Sequence, residues 1–113
     1  MSEDQMERQL HKLREIGENH AKAKQDLSVM EYGRQILLAE LMKEYMVQGE
    51  KTAAGQEREA RADPRYKNHI QMLGVAISEE AKWAWEKKIV DINFERWKTE
   101  MINQTIEKKK YGA

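Results

Sequence analysis

The residues best placed for chemistry in this chain are aromatic rings set beside cations. Lys82-Trp83-Ala84-Trp85-Glu86-Lys87-Lys88 and Phe94-Glu95-Arg96-Trp97-Lys98 interleave the two. Proteins that bind single-stranded nucleic acid use such pairs, rings to stack on bases and cations to follow phosphates. Trp85, Lys87 and Lys88, with Lys108, Lys109 and Lys110 near the end, are therefore candidate nucleic-acid contacts. The plainer reading, which we favour, makes the rings core and the cations its wet edge. Trp83 and Trp97 stand two heptads apart with Val90 and Phe94 between them, and Glu79, Glu86, Asp91, Glu95 and Glu100 shadow the cations. On that reading Trp83, Phe94 and Trp97 are structural.

Other chemistry is thin. With no cysteine there is no disulfide framework, thiolate nucleophile or Cys-type zinc site. Helical metal sites need ligands three or four residues apart on one face. His11, between Glu7 and Glu15, comes nearest; His20 and His69 lie in no Glu-x-x-His or His-Glu-x-x-His pattern. Glu79-Glu80 and Glu40/Glu44 read as solvated helix residues. Ser2, Ser28 and Ser78 sit in no nucleophile elbow, and no Gly-rich phosphate loop is present. The sequence predicts a protein that is not an enzyme and uses no cofactor and no metal.

The elements that position these residues divide the chain into a first helical arm (1–48), a reversal (49–62) and a long second helix (63–110). Asp63 suits an N-cap and Pro64 the first helical position, where a missing N–H costs nothing. Apolar residues follow at Tyr66, Ile70, Leu73, Ile77, Ala81 and Ala84, an amphipathic stripe. A second line, Trp83, Val90, Phe94, Trp97 and Met101, then takes over, with Trp85, Ile89 and Ile92 between the two. Lys108–Lys110 oppose the negative end of the helix dipole, and Gly112 suits a stop. In the first arm, Ser2-Glu3-Asp4-Gln5 fits a capping box ahead of Met6, Leu10, Leu13 and Ile16. Ser28-Val29-Met30-Glu31 is a second such box, which leaves open one helix or two broken near Asp26–Ser28; we favour continuity. The dense set from Leu27 through Met30, Ile36, Leu37, Leu38, Leu41 and Tyr45 to Met46 is the expected partner of the Trp-rich middle of the second helix. Gly49 to Gly55 is the clearest break, and Gln56–Ala62 can add a helical turn or two.

Up, turn and down gives an all-α fold, a long antiparallel helical hairpin of coiled-coil-like character. Counting heptads from Met6 lands on Gly17, Lys24, Glu31 and Arg34, which argues against a regular two-stranded coiled coil over the whole length. Two helices shelter little, so self-association into a helical bundle is expected, most simply a dimer about a two-fold axis.

Composition agrees. At 113 residues the chain is one domain; 35% charged residues and a mean hydropathy of −0.93 suit thin, wet-sided helices, and one proline with one phenylalanine disfavours a β sandwich. Net charge is zero, so no global basic field draws the chain to nucleic acid. The halves differ slightly: residues 1–62 carry ten Lys/Arg against twelve Asp/Glu, and residues 63–113 carry ten against eight. No apolar run approaches ~18 residues, so no membrane span is expected. A start of Met-Ser-Glu-Asp is unlike a signal peptide and predicts a cytoplasmic location.

Arg61-Ala62-Asp63-Pro64-Arg65-Tyr66-Lys67-x-His69-Ile70, preceded by Glu57-Arg58-Glu59-Ala60, and Phe94-Glu95-Arg96-Trp97-Lys98-Thr99 resemble segments of a family of small, uncharacterised α-helical bacteriophage and prophage proteins found near recombination genes. Lys98 stands where that pattern leads one to expect arginine. The resemblance covers the C-terminal half. It implies a phage origin, a host-cytoplasm location and, by gene neighbourhood, a link to DNA replication or recombination. It implies no activity. The expected function is a non-enzymatic accessory or adaptor working through contacts with a phage or host protein, with Arg61, Arg65, Tyr66, Arg96 and Lys98 as the candidate partner surface. The alternatives are direct single-stranded nucleic-acid binding and inhibition of a host protein.

Overall fold

The start of α1 and the boundaries around the reversal follow from capping residues. In the computed structural model, which describes residues 2–110, the elements are α1 (Glu3–Val47), α2 (Ala53–Ala62) and α3 (Pro64–Lys110). All three are α-helices, and there is no strand among the described residues. The Ser2 hydroxyl accepts from the Gln5 N–H at 3.2 Å and the Gln5 side-chain oxygen accepts from the Ser2 N–H at 2.7 Å, closing the predicted capping box. α1 then runs unbroken through Asp26–Ser28.

Gly49 ends α1 with φ of +117°, the left-handed region open to glycine. The Glu50 N–H reaches back to the Tyr45 carbonyl at 3.0 Å, the long bond of a Schellman stop. Thr52 opens α2, its hydroxyl accepting from the Gly55 N–H at 3.0 Å. A side chain at Gly55 would strike the Glu50 carboxylate, which lies against this helix start. The reversal thus holds a ten-residue helix, longer than the turn or two expected from Gln56–Ala62. Asp63 joins α2 to α3. Its N–H bonds to the Ala60 carbonyl at 3.2 Å, and its carboxylate accepts from the Arg65 N–H at 2.8 Å, so one residue closes one helix and starts the next. Gly112, suggested as a stop for α3, lies outside the described residues.

The chain forms two compact units. Residues 21–81 make an antiparallel helical hairpin around the turn. At its core Leu41, Ala60 and Tyr66 bury one another, with Leu37, Leu38, Met42 and Tyr45 packed around them. This corrects the expectation that the dense α1 set covers the Trp-rich middle of α3: Leu37, Leu38, Leu41 and Tyr45 pack on Ala60 of α2 and Tyr66 of α3, Met30 meets His69, and Ile36 and Met46 are exposed. Residues 2–20 and 82–110 make the second unit, whose buried residues are Ile16 and Val90.

The inward residues reveal the register. In α1 they step alternately three and four from Met6 through Gln9, Leu13, Ile16, His20 and Ala23 to Leu27, Met30, Arg34, Leu37 and Leu41, each buried or half-buried. In α3 the same step runs from Tyr66 through His69, Leu73, Ala76 and Glu80 to Trp83, then Val90, Phe94 and Trp97, skipping only the exposed Lys87. This is a sustained heptad seam. The heptad count from Met6 fails because it steps by four first instead of by three. The proposed α3 stripe holds in part: Tyr66, Leu73 and Ala84 are buried or half-buried, but Ile70 is 40% and Ile77 50% exposed, and His69 and Ala76 face inward in their place.

Candidate functional site

The residues sequence reasoning singled out fall into four places. The first is the α2–α3 joint. Asp63, 6% exposed, accepts the Tyr45 hydroxyl at 2.9 Å and the Arg65 guanidinium at 3.0–3.1 Å, and Arg65 reaches on to Glu44 of α1 at 2.7 Å. The Arg65 guanidinium, then its N–H, hold the Asp63 carboxyl well below the usual carboxylate range. Bonding to that carboxylate pushes the Tyr45 phenol up, and Asp63 followed by Glu44 pushes Arg65 further up. Tyr66 is 6% exposed in the adjoining core. Tyr66, proposed as a partner-surface residue, is instead buried with Leu41 and Ala60, whereas Arg65 stays exposed while it ties the joint to Glu44 of α1. Arg61 is exposed and pairs with Glu57 one turn back at 2.7 Å, which raises its pKa.

The second place is the seam histidine. His69 Nε2–H donates to the Met30 carbonyl across the hairpin at 2.7 Å. A Cβ on Gly33 would approach the His69 ring to 3.1 Å, so the glycine makes room for the imidazole. This interhelical contact was not foreseen; the signal available was a lone glycine inside a strongly helical pattern. No group of three or more His, Asp or Glu among the described residues is arranged to hold a metal ion.

The third place is the aromatic–cation stretch. Trp85 is 59% exposed with the Lys88 ammonium 5.7 Å from its ring, and Lys82 lies 5.1 Å from the Trp83 ring. Lys87 is exposed. Trp83 is half-buried, and Phe94 and Trp97 pack with their rings tilted by 58° and 5.4 Å between centres. The structure separates the set: Trp85 and Lys88 form an open pair, Lys87 is exposed at a seam position on another face, and Trp83, Phe94 and Trp97 belong to the seam.

The fourth is the end of α3. Arg96, near Glu100 at 3.8 Å, is exposed, as are Lys98 and Lys108–Lys110. Trp97 Nε1 is buried without an acceptor among the described residues, beside a shallow groove lined by Gln5, Gln9, Asn93, Arg96 and Glu100.

A surface that sequence reasoning missed lies on one flank of the hairpin. Val29 and Ile36 of α1 and Met72 and Val75 of α3 are 46–65% exposed, and Tyr32, 70% exposed, adjoins them on the outward face of α1. Relative to the seam, Val29, Ile36 and Val75 take the same outer heptad position on their helices. In an antiparallel pair, those positions line one side. No helix among the described residues is long and apolar enough to cross a membrane. Comparison of the chain with known protein families, curated proteins and solved structures returned no match.

Proposed function

We propose that this protein is a non-enzymatic adaptor of phage DNA replication or recombination, that it acts through protein–protein contacts, and that its working form is a dimer. The observation that carries this reading is the hairpin flank. Large apolar side chains gathered on one side of a two-helix pair are a protein-contact surface, and Tyr and Met are the residue types such surfaces favour. The phage setting is supported by the resemblance of residues 61–70 and 94–99 alone, and carries with it the host cytoplasm. The test places a photo-crosslinking group at Tyr32 and compares captured proteins with those from a Val29→Lys, Val75→Lys chain. A specific phage or host protein should be captured by the first and lost in the second. Capture unchanged by the lysines would reject the flank. Loss of a host activity on binding would turn the adaptor into an inhibitor.

The exposed Trp85–Lys88 pair supports a second reading, direct binding of single-stranded nucleic acid. Because Trp83 and Trp97 are sheltered, an oligonucleotide stacking on this pair would quench Trp85 emission. Quenching that weakens steeply with salt supports it; no quenching at low salt removes it.

A further inference from the structure

We infer that the last turns of α3 are a self-docking segment: the tails of two copies pack antiparallel about a two-fold axis near Thr105, and the Lys108-Lys109-Lys110 end of each meets the start of the other's α1. This deepens the dimer proposed above and rests on it.

Three observations lead there. The first is overhang. Gln5 and Gln9 of α1 line one groove with Trp97 and Glu100 of α3, so α1 begins level with about the residues just past Glu100. Yet α3 stays helical to Lys110, and every residue from Lys98 onward is exposed. Roughly nine residues, ~13 Å of helix at ~1.5 Å per residue, run past the end of α1.

The second is chemistry. Met101, Ile102 and Ile106 on this overhang are 41%, 53% and 56% exposed and, with Trp97, make an open apolar face rimmed by Lys98 and Lys109. With no helix beside it, this end of α3 leaves large apolar side chains in water, and they call for a cover.

The third is charge, which selects the occupant. The tip carries Lys108, Lys109 and Lys110, while the first turns of α1 carry Glu3, Asp4 and Glu7 with no cation before Arg8. Both lie at the same end of the same unit. When two tails overlap antiparallel, each basic tip arrives at the other copy's acidic start. The negative end of one helix dipole then faces the positive end of the next. The two-fold axis satisfies the match twice. A nucleic-acid strand would meet the lysines but leave Ile102 and Ile106 in water.

The test is sedimentation of the full chain over a wide concentration range, with two charge-reversed variants of matched helicity by circular dichroism. One carries Lys108→Glu, Lys109→Glu and Lys110→Glu; the other carries Glu3→Lys, Asp4→Lys and Glu7→Lys. The wild type should dimerise, less so with added salt. Each variant alone should dimerise at least ~tenfold more weakly, because tip and start then carry like charges. Their equimolar mixture should recover the dimer, since both junctions are again complementary. The chain has no cysteine, so a Thr105→Cys substitution reads the axis directly, by forming a disulfide-linked dimer on mild oxidation. A wild-type dimer insensitive to both reversals, with no linkage through position 105, overturns the tail and leaves the dimer standing on another surface. A chain that stays monomeric throughout overturns both.

Discussion

Asp63 does three jobs at once. It ends α2, starts α3, and binds both Tyr45 of α1 and Arg65. Ending α2 uses the backbone N–H and starting α3 needs only an oxygen acceptor, and asparagine keeps both. The third needs the charge, because the Arg65 guanidinium is what holds the carboxyl below its ordinary range. A depressed carboxylate stabilises the fold fully above its unfolded pKa of about 4, and that contribution is lost as pH falls below it toward the folded value. Asp63→Asn should therefore lower Tm at neutral pH and flatten its fall below about pH 4 relative to wild type. Other carboxylates are shared by both chains, so the difference between the two profiles isolates this residue. Parallel profiles would mean that Asp63 acts as a cap and nothing more.

At the scale of elements, the seam explains both what the sequence discloses and what it hides. The joint at Asp63-Pro64 was legible because capping is local chemistry: an acceptor side chain followed by a residue without an N–H has one natural place. The all-α hairpin was legible for a similar reason, since Gly49 breaks a long apolar-periodic run with a backbone conformation suited to glycine. The register was not. Hydrophobicity points to Ile70, Ile77 and Trp85, which lie outward, while His69, Glu80 and Arg34 occupy seam positions. The Tyr45–Asp63 and Arg65–Glu44 contacts join residues 18 and 21 apart in the chain, beyond any local pattern. His69 lies inward because Gly33 leaves its ring a place and the Met30 carbonyl accepts a hydrogen bond from its Nε2–H. This makes a double-mutant cycle informative. Alanine ordinarily gains about 0.5–1 kcal/mol over glycine inside a helix. Gly33→Ala should give less than that in the wild-type chain, where the new Cβ presses on the imidazole, and the full gain in a His69→Ala background. Thermal unfolding of the four chains measures it; additive effects would show that ring and glycine are independent.

For the molecule as a whole, burial is unevenly shared between the two units. Residues 21–81 hold Leu41 at 1% exposure, together with Ala23, Ala60, Tyr66 and Ala76, whereas Ile16 and Val90 are the buried hydrophobic residues of the other unit. Local opening costs most where apolar side chains are most completely withdrawn from water. Amide exchange should accordingly be slowest in α1 around Leu37–Leu41 and in α3 around Tyr66–Ala76. It should be faster near Ile16 and Val90, and fastest from Met101 to Lys110, where every residue is exposed. The tail adds a concentration dependence. Helix with no neighbour beside it gains protection when a second helix lies along it, so exchange at residues 101–110 and 3–7 should slow together as the protein is concentrated, while the hairpin amides keep their rates. Hydrogen exchange followed by mass spectrometry at two concentrations reads both gradients in one experiment. Uniform protection along α3 would remove the division into a firm hairpin and a looser end. Slowing confined to the flank around Tyr32 and Val75 would place the contact between copies there instead of on the tail.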